Sequence, residues 1–194
     1  MPNEQGGGQA RMNGYGLRGI LVALGAAVLL AGCGGSPYSS EIYMVPDNIA
    51  SPAPANALEE VARLINRERV AHGLKPLVIE AHLAASASGH AQYMAVNDCY
   101  AHECAGELDL SGRVEQAGYA YRRISENIHA AQLDPARVVE GWMQSPGHRK
   151  NILDPDVTEF GVGHYYLAKD GGKVQSHHYW VANFGAKMGL ATSP

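Results

Sequence analysis

The chain reads as an α/β (α+β) protein, a three-layer α–β–α sandwich around a central, largely antiparallel sheet. Two observations predict this. Apolar residues recur at helical spacing through most of the globular region, and an alternating, β-prone hairpin follows near its end. That hairpin is apolar on both faces, so helices must cover it twice.

Asn56 is placed to cap a first helix, with Leu58, Val61, Leu64 and Ile65 as its apolar stripe at helical spacing. Arg63, Arg67, Glu68 and Arg69 fall toward solvent, and Gly73 stops the helix. A second helix is predicted over 81–97 on Leu83, Ala84, Ala87, Ala91 and Met94. Its alanines and Gly89 predict the close approach of another element. A short helix over 111–117 ends at Gly118. Pro135 suits the first turn of a further helix running to about 144, with Val138, Val139 and Trp142 buried. Ser145-Pro146-Gly147 then turns the chain just ahead of His148. Strands over 159–167 and 174–184 flank Asp170-Gly171-Gly172, a hairpin signal. In the second strand Trp180, Ala182 and Phe184 face one side, and Tyr179 and Val181 the other.

Ahead of this domain, residues 17–31 form an apolar run with Arg11 and Arg18 near its start. The run is short against the roughly 20 residues of a spanning helix, and it has the layout of a secretory signal. It ends in Leu30-Ala31-Gly32-Cys33, which resembles a bacterial lipobox. The resemblance implies cleavage before Cys33 and lipidation of its sulfur. Residues 1–32 are therefore expected to be a lipoprotein signal peptide. Met12 is an alternative start, because the segment before it is polar and Gly-rich. Residues 33–55, rich in Gly, Pro, Ser and Ala, read as a lipid-anchored tether. Residues 56–188 are the folded domain and 189–194 a tail. The expected location is outside the cytoplasm, anchored to a bacterial membrane through Cys33. Gly34 after the cysteine favours the outer membrane where there are two. An ordinary signal peptide with an incidental Cys33 is the competing reading. The net charge of −4 and the lack of a basic run argue against nucleic acid as a partner.

Cys99 and Cys104 remain as an even pair. In an exported chain such a pair suggests a disulfide, here across the short CYAHEC loop. Two free thiols, or metal ligation together with His102, are the competing readings.

Several motifs in order resemble the CAP superfamily of cysteine-rich secretory proteins, antigen 5 and pathogenesis-related 1 proteins, in its short bacterial SCP-like branch. They are Asn66-Arg67-Glu68-Arg69 with the GLKPL exit at 73–77, Ala101-His102, Gly118-Tyr119, Ser125-Glu126-Asn127-Ile128, the WMQSPGHRKNIL run at 142–153, Gly161-Val162-Gly163, and the YWVANFG run at 179–185. The resemblance implies an α–β–α sandwich whose central cleft is lined by two histidines and two acids, and which in some members binds a divalent metal. Position by position, His102 and His148 match the histidines and Glu126 the first acid. The second acid is missing: Ser145 stands where it is usually found, and Glu140 precedes Trp142 and does not match. Ala101 replaces the usual serine and Ser125 the usual glycine.

Two imidazoles and a carboxylate can hold zinc with water in the open position, a hydrolytic arrangement in principle. Glu126 can instead brace the structure by accepting hydrogen bonds from backbone amides and His148. No Gly-x-Ser-x-Gly elbow supplies a nucleophile. The expected function is therefore a non-catalytic envelope module. It binds a small apolar ligand or a protein partner in a cleft of His102, Glu126 and His148, supported by Asn127 and Ser145. A metal-dependent hydrolase, with zinc on His102 and His148 beside Glu126, is the alternative from another class. A purely structural surface module is the third reading. His177 and His178 are expected as ordinary sheet residues, with His164 as a neighbour across the hairpin. His72, His82, His90 and His129 have only a surface or packing reading.

Overall fold

A computed structural model describes residues 52–189. The expectations for the signal, for Met12 and Cys33, for most of the tether and for residues 190–194 fall outside the described residues. The elements run α1 (Ala57–Ala71), β1 (Val78–Ile79), α2 (Ala81–Val96), α3 (Leu110–Gln116), β2 (Tyr121–Ala130), α4 (Pro135–Gln144), α5 (Pro146–Ile152), β3 (Glu159–Tyr166) and β4 (His178–Lys187).

The helices form where the apolar stripes predict them. α1 buries Val61, Leu64 and Ile65, while Asn56 precedes it without a side-chain capping bond. Gly73, at φ +75°, takes the left-handed turn that releases the chain. Glu80 caps α2 by accepting from Leu83 N, Asp109 caps α3 through Gly112 N, and Asp134 caps α4 through Ala136 N. The expected turn at Ser145-Pro146-Gly147 is instead the junction of two helices. Ser145 closes α4, and Pro146 opens α5 with its preset φ.

Two strands were not visible in the apolar pattern. β1 has two residues and pairs parallel to β3; β2 pairs antiparallel to β4. With the β3–β4 hairpin they make a mixed sheet in the order β1-β3-β4-β2. α2 packs on one face of β3 and β4, where Val181 and Tyr179 meet Ala87, Ala91 and Met94. α1, α4 and α5 form the opposite layer, and Trp142 Nε1 donates to Ile128 O at 3.0 Å. The three-layer sandwich is thus the observed architecture.

Close approach occurs at other glycines than the one expected. A Cβ on Gly89 would meet nothing within 4 Å. A Cβ on Gly161 or Gly163 of β3 would run into the α2 backbone at Leu83–Ala84 and Ala87–Ser88. The α1 charges also depart from expectation, since Glu68 and Arg69 are buried. Arg69 is satisfied by backbone oxygens of distant segments: Nε donates to Lys75 O, and Nη1 to Ile152 O and Asp154 O.

Candidate functional site

β2 is an edge strand whose side chains alternate between the layers, and this alternation builds the site. Glu126 points toward the α2 and α3 layer, and Asn127 toward α5. On one flank, the Cys99–Cys104 disulfide closes a loop that carries His102. The pairing expected for the two cysteines is observed. On the other flank, α5 presents His148. The two imidazoles meet edge to face with centroids 6.5 Å apart, so the structure brings His102, Glu126 and His148 together.

Glu126 does not face the cleft as a free carboxylate. His102 Nδ1–H donates to its Oε1 at 2.9 Å, and Arg113 Nη2 donates to Oε2 at 2.8 Å. With the Asn183 amide oriented so that its oxygen accepts from Ser86 Oγ, its nitrogen donates to the same Oε2 at 3.1 Å. The Glu126 and Arg113 side chains are only 2 % and 6 % exposed. The expected bracing by Glu126 is therefore real, but its donors are His102, Arg113 and Asn183 rather than backbone amides and His148. Asn127 braces the opposite wall: its Nδ2 donates to His148 O, and its Oδ1 accepts from Asn151 Nδ2. Ser145 sits at the α4–α5 junction and makes no side-chain cap.

The anchoring extends inward through residues that had only a packing reading or none. His90 is fully buried, with Nδ1 2.8 Å from Glu107 Oε2 and Nε2 3.1 Å from Ala101 O. Arg113 Nη1 donates to His102 O and Leu108 O. The main chain on both sides of the His102 side chain is thus tied to buried groups. His90 lies three residues from Ala87 and four from Met94, on the buried stripe of α2. A histidine on an apolar stripe was the one sequence signal of this second tier.

A hydrogen bond at His102 and burial at His148 set the two rings apart. The bond to Glu126 raises the His102 pKa, partly offset by burial, and leaves Nε2 as its free nitrogen. Burial, then the nearby His102, lowers the His148 pKa. Between the two midpoints the cleft carries one proton, on His102. The stability that His102 gains from its pairing is present below its unfolded pKa and is lost as pH rises through the folded one. For His148 the sign reverses: stability is lost as pH falls through its unfolded pKa and levels off below the folded one. An NMR titration of the imidazole Cε1 protons is expected to show His102 titrating above His148, with Glu126→Gln moving the His102 midpoint down. Equal midpoints, or an unmoved His102 in the variant, would contradict the assignment.

The three-ligand set of His102, His148 and Glu126 does not form. Both Glu126 oxygens are committed, and the described residues contain no group of three or more His, Cys, Asp or Glu side chains able to hold a metal. Elsewhere, His164 Nε2 lies 3.0 Å from His178 Nδ1 across the hairpin, with the rings stacked. Burial, then His178, pushes the His164 pKa down to about 4.

Residues 62–184 match the profile of the cysteine-rich secretory protein (CAP) family. The chain belongs to the CAP family. Its CAP domain is similar to the uncharacterized protein YkwD of Bacillus subtilis, at 35 % identity over 136 residues, covering 70 % of this chain and 49 % of YkwD. The chain thus spans about half the length, or less, of the curated relatives it matches. Among solved structures, the CAP domain is similar to an extracellular SCP-domain protein of Bacillus anthracis, with TM-score 0.59 and 27 % identity, over 68 % of this chain and 41 % of that one. An outer surface protein of Borrelia burgdorferi shares the fold, with TM-score 0.58 at 20 % identity, over 69 % of this chain and 95 % of that one. Among the described residues no helix is long and apolar enough to cross a membrane.

Proposed function

We propose that this CAP protein is exported and lipid-anchored through Cys33, and that it acts in the cell envelope by binding a partner in the His102–His148 cleft without turnover. The engagement of Glu126 carries this reading. A carboxylate that accepts from His102, Arg113 and Asn183 and is only 2 % exposed is engaged in holding a ring in place. Cys99 and Cys104 are consumed by their disulfide, and Ser145 replaces the second acid. Tyr100, 44 % exposed on the His102 loop, offers an aromatic anchor, which favours an envelope protein over a small apolar ligand.

The test places a photo-crosslinking residue at Ser145 and, as a control, at Lys150 on α5, in cells that make the full chain. A discrete adduct from the Ser145 position, lost when His102 and His148 are both replaced by alanine, is the expected result. The same adducts from both positions, or no effect of the double substitution, would count against cleft recognition. For the anchor, Cys33→Ser is expected to release the protein from the membrane fraction; unchanged size and retention would overturn it.

One observation favours a second reading. Glu126 fixes the His102 tautomer as outer-sphere carboxylates do for metal-bound histidines, leaving Nε2 free near His148. Zinc on these two nitrogens would need its remaining ligands from solvent or a partner. Stoichiometric zinc in the purified parent, absent from the double alanine variant, supports that reading. No uptake by either, with zinc supplied, sinks it.

A further inference from the structure

A second concavity lies on the outer face of the α2–α3 layer. It encloses about 560 Å³ and is lined by Ala85, Gly89 and Tyr93 of α2, by Glu107 and Leu108 of the connecting loop, and by Arg113 of α3, among others. The volume is in the range of small-molecule sites. His102, Glu126 and His148 do not line it.

Its walls are apolar and kept open. Ala85 and Gly89 lie one helical turn apart, and the space beyond Gly89 is empty to 4 Å. Glycine weakens a helix interior relative to alanine, and no packing contact requires it at this position. Leu108 forms part of the rim while 49 % exposed.

Its floor is polar and almost fully committed. Both His90 nitrogens have partners, and Arg113 Nη1 and Nη2 are used by His102 O, Leu108 O and Glu126. Arg113 Nε has no acceptor but is sealed from the cavity. Glu107 differs. Its side chain is 10 % exposed, and Oε2 faces His90 Nδ1 while Oε1 has no hydrogen-bond partner among the described residues. The charged group left open to a ligand is therefore a carboxylate oxygen, with the neutral Gln116 amide also in the lining. The stretch around it is acidic in sequence: Glu103, Glu107, Asp109 and Glu115 fall within 103–116 against one basic residue, Arg113, which pairs with Glu126 at 2.8 Å and lies 3.7 Å from Glu107 Oε2. Such a surface attracts cations, and Tyr93 adds an aromatic wall suited to them.

We infer that the α2–α3 groove binds a small organic cation, a primary ammonium on an apolar body, whose N–H donates to Glu107 Oε1 while its carbon chain lies over Ala85, Gly89 and Leu108. The inference does not rest on the role proposed for the His102–His148 cleft, although His90 and Arg113 contribute to the walls of both.

The probe is hexylammonium, titrated into the ¹⁵N-labelled full chain, with hexanol and hexanoate as neutral and anionic counterparts of equal length. Hexylammonium is expected to shift the amides of Gly89, Tyr93 and Glu107 saturably, and to bind tighter than either counterpart. Glu107→Gln is expected to weaken it about tenfold or more, the scale of a charge-assisted hydrogen bond. Gly89→Leu projects into the empty space, favours the helix, and is expected to abolish binding with the fold retained. This second variant keeps the inference testable if Glu107→Gln loosens His90. The double His102→Ala/His148→Ala variant is expected to bind as the parent does. Equal affinity for hexanol, no saturable shift at these amides, or binding that survives Gly89→Leu would each overturn the inference.

Discussion

Glu126→Ala is expected to be the most destabilising single change at the cleft. It removes the acceptor of His102 and the close carboxylate partner of Arg113, leaving the buried guanidinium beside two carbonyl oxygens with only Glu107, 3.7 Å away, to oppose its charge. Breaking a buried ion pair from one side costs roughly 3–5 kcal/mol, most of it the desolvated charge left behind. That is a large part of the 5–15 kcal/mol that holds an ordinary domain together. Urea unfolding followed by tryptophan fluorescence is expected to show a lower midpoint, corresponding to a loss of unfolding free energy of about this size. Adding Arg113→Met to Glu126→Ala removes the orphaned charge and is expected to recover part of the loss. A Glu126→Ala protein as stable as the parent would mean that the pair is solvated and does not brace the cleft.

The second large effect is expected at the sheet–helix contact. Gly161→Ala and Gly163→Ala each place a methyl group where the α2 backbone lies. A flexible side chain could rotate away, but a helix backbone cannot, so α2 must lift off β3 and β4. Overpacking of this kind typically costs 1–3 kcal/mol, and more where backbone is the obstacle, as here. The double variant is expected to lose cooperative unfolding. Because α2 leads directly into the disulfide loop, it is also expected to broaden the His102 resonance. The control is Gly89→Ala, with open space in the same helix, which is expected to stabilise by about 0.5–1 kcal/mol. If all three glycines behave alike, the packing of α2 is not what limits stability.

These glycines also mark where sequence and structure part. The stripes of α1, α2 and α4 were legible because burial there is local and periodic. The hairpin was legible because both of its faces are apolar. The close packing was assigned to Gly89 in the helix, whereas Gly161 and Gly163 in the facing strand provide it. A stripe of small residues shows that something comes near, not which partner yields. β2 escaped the pattern because the residues it buries at the cleft, Glu126 and Asn127, are polar. Their burial is permitted by Arg113, Asn151 and Asn183, which no local window contains. α5 was hidden by Ser-Pro-Gly, a turn signal that here opens a helix. His102, His148 and Glu126 were found through motif order. The layer beneath them, His90, Glu107 and Arg113, is held by ion pairs and hydrogen bonds that exist only once the chain has folded.

Arg69 sets a condition on the timing of folding. Its buried guanidinium finds two of its acceptors at Ile152 and Asp154, 83 and 85 residues downstream. Until that stretch has been synthesised, α1 cannot desolvate the charge without leaving donors unpaired. The first helix therefore stays uncommitted until most of the domain is available, and closure links its opening segment to its last third in one late step. Docking of the first helix thus depends on residues 152–154, which lie on the far side of most of the domain's sequence.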